Sequence, residues 1–434
     1  MLTEKLSSKL ERGRWYGWLF WGLAAVFYLY EFFIRVTPDA ILPELGEAVN
    51  ATGTDLVTSL SAYLWVYAPM QLVVGLLIDR FGSRFPLAIA ALACGGGSLL
   101  FAGATGVVDL GFGRGLQGFG SAFAFVGAVY VATIWCAPKR LALIVGLTTS
   151  VGMIGSIVGQ APVADLAADL GWRPLVRWIG FTGLLLGIVL LIFIPSRPKW
   201  FNDHLGPEVE KSLLRDIARI LLNWKLLLIG VVSAILYMPQ SVIAALWGTT
   251  FLERSTGQSA MHSAELVSIL PFTWLIACSA CGWLSDRVGR RKGLLLVGTV
   301  GGGIGMGVLT FASDIGTGGI ITALIIGGLF TSTQVLTFAV AMEVCPRSLR
   351  ATAAALCNAV TMLAAAGIQI SIAAVLEGNA DPANAGNMLE HATAGDFRRA
   401  YAIIPLSFIL AFVLLLFIPE TGGQSQVKAN EAAD

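Results

Sequence analysis

Two charged residues stand four positions apart in the apolar stretch YLYEFFIRV, residues 28–36. At that spacing, Arg35 lies one helical turn after Glu31. Charges inside a membrane are energetically expensive and usually serve a proton path or a ligand. A carboxylate can take and release a proton, and a guanidinium can hold a carboxylate in a bidentate pair. The stretch indicates proton coupling at Glu31. Arg35 either binds substrate or only extends to the outer interface.

A third charge, Arg114, lies within the apolar sequence RGLQGFGSA, residues 114–122. At a helical rise of about 1.5 Å per residue, Glu31 lies about 24 Å from Trp15, at the cytoplasmic end of the first span. Arg114 lies about 10 Å from Val108, at the outer end of its own span. The two residues are therefore predicted to share a depth, with Arg114 as the coupling partner of Glu31 or as a brace bonded to helix carbonyls. No apolar run contains any of the three histidines, His204, His262 and His391. If transport is driven by protons, a carboxylate must therefore carry the proton.

The composition indicates a membrane protein. The 434 residues are 56% hydrophobic and 13% charged, with a mean hydropathy of +0.77, whereas soluble proteins average about 25% charged residues. Trp15–Val36 and eleven further apolar runs each approach the roughly 18–20 residues that span a bilayer. The eleven runs are Leu56–Ile78, Phe85–Val108, Gly115–Pro138, Leu141–Ala164, Trp178–Ser196, Leu226–Leu252, Leu266–Ser285, Gly293–Ser313, Ile315–Met342, Ala351–Leu376 and Tyr401–Pro419. Strand alternation is absent, so we predict an all-α membrane protein with twelve transmembrane helices.

The distribution of Lys and Arg predicts that both termini are cytoplasmic. With that orientation the outer side carries few basic residues, namely Arg173, Arg177, Arg254, Arg398 and Arg399. Met1–Arg14 is basic and lacks an apolar core with a cleavage site, so we expect no cleaved signal peptide. The net charge of +1 gives no reason to expect a nucleic-acid partner.

A polar segment, residues 197–223, divides the chain into an N-terminal half, residues 1–196, and a C-terminal half, residues 224–434. It contains EVEKSLLRDIARILLN, which predicts an amphipathic helix on the cytoplasmic membrane surface. The loop GLLIDRFGSR begins at Gly75, and the similar loop GWLSDRVGRRK begins at Gly282, 207 residues later. Two six-helix halves related by an internal repeat are a recognised plan of transporters.

The repeated loops predict a cytoplasmic gate. Each aspartate can pair with a nearby arginine or face the positive N-terminal end of a helix. A contact of this kind that forms only when the cytoplasmic side is shut would bias the direction in which the cavity opens. The predicted gate residues are Asp79, Arg80, Arg84, Asp286, Arg287, Arg290, Glu343 and Arg347.

The paired loops are similar to the signature of the major facilitator superfamily, and the resemblance covers essentially the whole chain. The first loop departs from the signature at Ser83, where a basic residue is usual. Residues 114–122 resemble the fourth-helix motif, whose arginine the family links to proton coupling, and PET at 419–421 resembles the end of the last helix. The resemblance implies alternating access around a central cavity bordered by the first and fourth helices. It therefore places Glu31 within reach of Arg114.

Two further resemblances bear on the substrate. The pattern Y-x-x-E-F-x-x-R-x-x-P, residues 28–38, resembles the first helix of proteobacterial amino-acid importers of the intraphagosomal type. The segment GSIVGQAP, residues 155–162, only partly resembles the fifth-helix motif of drug/proton antiporters, because Gly159-Gln160 replaces the expected Gly-Pro pair.

Polar and aromatic residues in the spans are candidates for binding the uncharged parts of a substrate. The C-terminal spans carry no charge equivalent to Glu31, so we predict ionic recognition by the first half and amide and aromatic contacts from the second. The candidate substrate-binding residues are Tyr28, Glu31, Arg35, Gln71, Arg114, Gln160, Tyr237, Gln240, Gln334 and Asn358.

The function predicted is proton-coupled uptake of a small polar or zwitterionic, amino-acid-like solute. The alternatives are a polyspecific drug/proton antiporter, an organic-anion transporter and, from another class, a receptor that does not transport. No nucleophile–base pair, ATP loop or metal cluster is present in the sequence, so we expect no enzyme activity, metal or cofactor. The expected partners are the solute, protons and the lipid bilayer. We expect the protein to be a monomer in a bacterial inner membrane.

Overall fold

The structure, a computed structural model, describes residues 14–49, 53–159, 161–195, 220, 222–312, 315–346, 349–378 and 393–422. Every regular element within these residues is helical. The first nine α-helices are α1 Arg14–Ala40, α2 Leu42–Val49, α3 Gly53–Phe81, α4 Arg84–Ala102, α5 Val107–Ser121, α6 Ala124–Trp135, α7 Leu141–Val158, α8 Ala161–Leu170 and α9 Trp172–Phe193.

The later α-helices are α10 Trp224–Met238, α11 Gly248–Thr256, α12 Ala260–Val288, α13 Lys292–Phe311, α14 Gly316–Thr331, α15 Val335–Glu343, α16 Arg350–Gly378, α17 Ala394–Tyr401 and α18 Ile403–Leu416. A π-helix, Pro239–Trp247, joins α10 to α11. Short 3₁₀ turns precede α7 and α15. The amphipathic helix predicted between the halves lies almost wholly outside the described residues.

By length and apolar composition, eleven stretches of the described helices can cross a membrane. A twelfth is obtained when the bent pair Thr58–Gln71 and Val73–Phe81 is counted as one span. Large apolar side chains such as Trp65, at 77% exposure, and Ile276, at 73%, face outward. A helix surface of this kind suits contact with lipid and not with water. The predicted all-α membrane fold is confirmed.

The bend in α3 has a cause in the sequence. The two parts of this helix meet at 54° close to Pro69. Proline has no backbone N–H, and its ring clashes with the carbonyl four residues earlier, so a proline inside a helix kinks it. The apolar run Leu56–Ile78 therefore forms a broken span instead of a straight one.

By their contacts the residues form two compact units. The N-terminal unit comprises Met1–Leu222 with Cys345–Leu356, and the C-terminal unit comprises Asn223–Val344 with Cys357–Asp434. In the N-terminal unit α1 packs on α6 and α7, and α5 lies between α3 and α4. In the C-terminal unit α13 packs on α14 and α18, and α12 packs on α14.

Candidate functional site

Glu31 lies at the centre of a buried polar cluster in the N-terminal unit. Its side chain, on α1, is fully shielded from solvent. One carboxylate oxygen, Oε1, accepts hydrogen bonds from the Tyr63 hydroxyl at 2.6 Å and from Arg35 Nε at 2.8 Å. The other oxygen, Oε2, is buried and has no hydrogen-bond partner among the described residues. An acceptor left in this state is the natural place for a proton to bind.

Arg35 turns back along α1 towards Glu31, one helical turn earlier. Its Nη2 lies 2.5 Å from Glu31 Oε1, and its side chain is 20% exposed. The guanidinium carbon lies 4.6 Å from the centre of the Phe32 ring and 4.9 Å from that of Tyr67, within the range of cation–π attraction. Arg35 therefore forms an ion pair with Glu31 along the same helix.

Arg114 binds a backbone carbonyl that a proline has left without a partner. Pro38 lies inside α1 and has no N–H to donate to the carbonyl of Ile34, four residues earlier. Arg114 Nη1 donates to that carbonyl at 3.1 Å, and Nη2 donates to the Arg35 carbonyl at 3.3 Å. The guanidinium therefore braces α1 at the turn that carries Arg35, as the carbonyl-bonded alternative proposed.

A hydrogen-bonded relay fixes the orientation of Arg114. Gln117, one turn further along α5, accepts from Arg114 Nη1 at 2.8 Å through its Oε1. Its Nε2 donates to Ser98 Oγ at 2.9 Å, and Ser98 donates to the Cys94 carbonyl at 2.9 Å. Both polar ends of Gln117 are thus satisfied inside the unit. Satisfied buried networks make a site rigid.

Tyr63, on α3, links α1 and α5, because α3 and α5 approach each other closely. The Arg114 guanidinium carbon lies 4.5 Å from the centre of the Tyr63 ring, whose hydroxyl holds Glu31. A Cβ atom added at Gly118 on α5 would collide with the backbone carbonyl of Tyr63. Glycine at this position therefore permits the approach that brings Tyr63 between Arg114 and Glu31.

Replacing Gly118 by Ala is expected to destabilise the protein by about 1–3 kcal/mol, because the collision involves backbone atoms on both helices. The loss should exceed the gain in helix propensity of about 1 kcal/mol. Gly22→Ala is the matched control, since no atom lies within 4 Å of a Cβ there. Thermal unfolding in detergent measures both variants. A Gly118→Ala protein as stable as Gly22→Ala would contradict the packing argument.

The other candidate residues of the N-terminal unit have structural partners. Tyr28 is buried, with its ring centre 5.0 Å from that of Phe32 and 5.3 Å from that of Phe125. Gln71 is fully buried and donates through Nε2 to the Ala122 carbonyl at 3.2 Å, while its Oε1 has no partner among the described residues. Gln160 lies outside the described residues. The N-terminal unit therefore gathers Glu31 and Arg35 with Arg114 and leaves Tyr28 and Gln71 in packing positions.

In the C-terminal unit, Gln240, Gln334 and Asn358 are buried and Tyr237 is half-buried. Gln334 donates through Nε2 to Ser233 Oγ at 2.8 Å, and Thr361 donates to the same oxygen at 2.8 Å. Gln240 lies in the π-helix and donates to the Leu270 carbonyl at 3.4 Å. The Tyr237 ring packs 6.0 Å from that of Trp274. Asn358 is 5% exposed.

The first loop aspartate caps a helix. Asp79 Oδ2 accepts from the Thr352 backbone N–H at 2.8 Å and from the Thr352 hydroxyl at 2.6 Å, while Oδ1 accepts from the Ala351 N–H at 3.2 Å. These groups form the first turn of α16, where the free N–H groups and the helix dipole favour a negative charge. Arg80 is exposed, and Arg84 Nε donates to the Leu191 carbonyl at 2.6 Å.

The second loop aspartate belongs to a buried ionic cluster. Arg291 donates through Nη1 to Asp286 at 2.6 Å and through Nη2 to Glu343 at 3.0 Å. Thr421 donates to the other oxygen of Glu343 at 2.5 Å, and Glu420 accepts from the Arg291 backbone N–H at 2.6 Å. Burial lowers the pKa of Arg291, but the two carboxylates outweigh this effect and hold the pKa above its ordinary value.

Glu343, one of the predicted gate residues, is paired with Arg291. Arg347, another predicted gate residue, lies outside the described residues. Gly289 adopts a left-handed conformation, with φ of 68°, and turns the chain so that Arg291 points inward. Arg287 and Arg290 of the same loop are exposed.

Several residues of the observed clusters were not among the candidates, Tyr63, Gln117 and Arg291 among them. A signal existed for the first two. Tyr63 and Tyr67 are spaced four apart, and Gln117 follows Arg114 by three, so each pair shares a helix face. No comparable spacing marks Arg291, because its inward direction depends on the turn at Gly289.

The many apolar spans define a polytopic helical membrane protein, and its N-terminal unit holds a carboxylate–guanidinium pair. The chain belongs to the major facilitator superfamily, whose family model matches residues 20–368. The fold is similar to that of the proton:xylose symporter XylE bound to 6-bromo-6-deoxy-D-glucose, with a TM-score of 0.71 over 94% of this chain and 97% of that one. The two sequences are 18% identical, so this likeness concerns the fold alone.

Two curated relatives are similar in sequence. The probable sulfoacetate transporter SauU of Cupriavidus necator is 23% identical over 310 residues, which cover 68% of this chain and 72% of the relative. The citrate-proton symporter of Salmonella typhi is 28% identical over 252 residues, which cover 52% of this chain and 54% of the relative. These matches agree with a secondary transporter of small molecules.

Proposed function

We propose that this protein takes up a small organic solute carrying a carboxylate together with protons, by alternating access. The observation that carries the proposal is the buried group of Glu31, Arg35 and Tyr63. It holds one titratable carboxylate against one guanidinium that retains some exposure. In this mechanism Glu31 carries the proton and Arg35 binds the solute.

The coupling follows from competition for Arg35. When the carboxylate of the solute binds this guanidinium, Glu31 loses its counterion. A buried charge without a partner costs about 3–5 kcal/mol, so Glu31 takes up a proton instead. Because coupling between two ligands is reciprocal, a proton on Glu31 also releases Arg35 for the solute. Arg114, bonded to the Ile34 and Arg35 carbonyls, positions both groups for this exchange.

Two observations favour an organic anion as the solute. The names of the two relatives give sulfoacetate and citrate as their substrates, and both compounds carry carboxylates. In addition, Glu31 is fully buried and held by the Tyr63 hydroxyl, so its carboxylate is not exposed to the amine of a zwitterion. An organic anion is therefore favoured over the amino-acid-like solute predicted from the spacing of the two charges.

The remaining candidate residues complete the proposal. The moving bodies are the two halves, residues 1–196 and 224–434, joined by the linker 197–223. The protein acts as a monomer in a bacterial inner membrane, with both termini cytoplasmic. The uncharged part of the solute is bound by polar and aromatic side chains of both halves, namely Tyr28, Gln71, Gln160, Tyr237, Gln240, Gln334 and Asn358.

The two loop clusters are proposed to form the cytoplasmic gate. Asp79 would hold the start of α16 while the gate is shut and release Thr352 when it opens. Asp286, with Arg291 and Glu343, would keep the corresponding loop of the second half in a fixed shape. Three predicted gate residues are exposed and would only set the orientation of the chain in the membrane, namely Arg80, Arg287 and Arg290. Arg84 would anchor its loop through the Leu191 carbonyl.

Asp79→Asn is expected to shift the population about 5- to 30-fold towards cytoplasm-open states, since a charge at a helix N-terminus contributes up to about 2 kcal/mol. The fold should remain intact. Accessibility from each side of single cysteines introduced along α1 and α3 measures the shift. Asp109→Asn is the control, because this carboxylate caps only its own exposed loop through Thr105. Unchanged accessibility in Asp79→Asn would leave the loop as a topology signal only.

Flux into proteoliposomes tests the proposed function. The panel contains labelled sulfoacetate, citrate, alanine and uridine, each with and without a pH gradient. The proposal predicts that an organic anion accumulates only when the gradient is present. Accumulation of alanine instead would favour the zwitterionic solute, and extrusion of cationic drugs would favour the antiporter. Absence of any gradient-driven flux would overturn proton coupling.

A further inference from the structure

The C-terminal unit contains a polar cavity whose lining residues are far along the chain from the groups of the proposed transport site. It has a volume of about 240 Å³ and lies where α11, α14 and α17 meet the end of α13. Arg291 stands at the opposite end of α13, 20 residues before Phe311. Under the predicted topology the cavity therefore opens on the outer side of the membrane. At about 30 Å³ per water molecule, its volume suits only a compact ligand.

One wall of the cavity carries a cation. Arg398 on α17 lines the cavity and is half-buried. Its Nε is buried without a hydrogen-bond partner, and no carboxylate pairs with it among the described residues. The adjacent Arg399, in contrast, is exposed and lies 3.9 Å from Asp396. A half-buried guanidinium that has no counterion within the described part of the chain is a favourable partner for an anion.

A second wall offers uncharged polar groups. Gln258 donates through Nε2 to Thr317 Oγ1 at 3.1 Å, while its Oε1 is buried without a partner among the described residues. Because Thr317 accepts this bond, its own hydroxyl hydrogen is available to a ligand. Two glycines in left-handed turns shape this wall, Gly257 with φ of 70° and Gly316 with φ of 61°.

The floor is apolar, with Phe251, Leu309 and Ile320 among the lining side chains. Phe251 is held by the ring of Tyr401, whose centre lies 5.0 Å away. A cation, an unsatisfied acceptor and an apolar floor together match a compact carboxylate that has an apolar body and a hydroxyl group. Pockets for small molecules commonly combine an apolar lining with few polar groups.

We propose that this cavity is a second binding site, separate from Glu31 and Arg35, for a small hydroxy-substituted carboxylate held by Arg398. The site does not depend on the proposed transport mechanism. A ligand there would occupy the outer end of the C-terminal unit and leave the buried ion pair of the N-terminal unit untouched.

Equilibrium binding of radiolabelled 4-hydroxybenzoate to the full chain in neutral-lipid nanodiscs tests the proposal. The measurement is made in an Arg35→Gln background, so that the transport site does not contribute. We expect saturable binding that weakens about tenfold or more in Arg398→Gln, because a charge-assisted pair is lost. Arg399→Gln should change the affinity less than twofold, and the neutral 4-hydroxybenzamide should not compete.

A second variant tests the same proposal in case Arg398→Gln does not fold. Ala312→Leu keeps every charge and fills part of the cavity, so it should also abolish binding. Absence of saturable binding in the Arg35→Gln protein, or equal affinity in Arg398→Gln, would overturn the proposal. Loss of binding when phosphatidylglycerol is added to the nanodiscs would assign Arg398 to a lipid headgroup and overturn it as well. A failure of transport in the flux panel would leave these outcomes unchanged.

Discussion

Glu31→Gln is expected to abolish the accumulation of solute driven by a pH gradient. Glutamine preserves the size and the hydrogen bonds of Glu31 but has no proton to exchange. One pH unit stores about 1.4 kcal/mol per proton, which supports about tenfold accumulation at one proton per solute. The variant should therefore reach the same concentration inside and outside proteoliposomes. Exchange of labelled for unlabelled solute should survive, because it requires no net movement of protons.

The control for this prediction is Glu44→Gln, since Glu44 is exposed on the short helix α2. It should accumulate solute as the unmodified protein does. If Glu31→Gln still concentrates solute against its gradient, the proton binds elsewhere and the role proposed for Glu31 is wrong. If both exchange and accumulation are lost, the variant must first be shown to fold by its thermal unfolding.

Arg35→Gln is expected to lower the affinity for the solute about 100-fold or more. Each charge-assisted hydrogen bond contributes about 1.5–3 kcal/mol, and a loss of about 2.8 kcal/mol is a hundredfold change. Arg35→Lys should recover little of this affinity, because lysine lacks the planar pair of donors that matches a carboxylate. Competition binding in detergent measures both variants.

Arg173→Lys is the matched control for Arg35→Lys. Arg173 is likewise partly buried and hydrogen-bonded, to the carbonyls of Ala102 and Ala104, but lies outside the buried cluster. Its substitution should leave the affinity unchanged. Equal affinity in the Arg35→Lys variant and the unmodified protein would argue against recognition of a carboxylate and would leave the guanidinium as a partner of Glu31 alone.

The architecture was predictable because a bilayer permits few solutions. Long runs without charge must be helices in lipid, and their number and length follow from the sequence. The bend in α3 was not predicted, although Pro69 stands within the run Leu56–Ile78. Whether a proline bends its helix depends on the packing of the neighbouring helices, which cannot be read from the composition.

The pairing of charges was predictable only in part. Arg114 was predicted as the partner of Glu31, whereas the ion pair is formed by Arg35, because a side chain near the end of a span can turn either way. The direction of Arg35 was decided by Tyr63 and by the rings of Phe32 and Tyr67, which come from distant or neighbouring turns. The link from Pro38 to Arg114 was in principle available, since the proline leaves a known carbonyl unpaired.

The contacts of the loops illustrate the same limit. The possibility that Asp79 faces a helix N-terminus follows from helix electrostatics, and the structure places Thr352 there. Which of several helices supplies that terminus is a tertiary property that no local pattern encodes. For the second loop, the residue that binds Glu343 was set by the backbone turn at Gly289 and not by the density of basic residues.

Proton uptake on binding tests the central claim most directly. Purified protein in weakly buffered detergent near neutral pH is mixed with the organic anion that the flux panel identifies, and a pH-sensitive dye reports the protons taken up. The account predicts about one proton per bound solute, because the solute removes the counterion of Glu31. It predicts none in Glu31→Gln that still binds the solute. Binding without proton uptake by the unmodified protein, or equal uptake by Glu31→Gln, would contradict it.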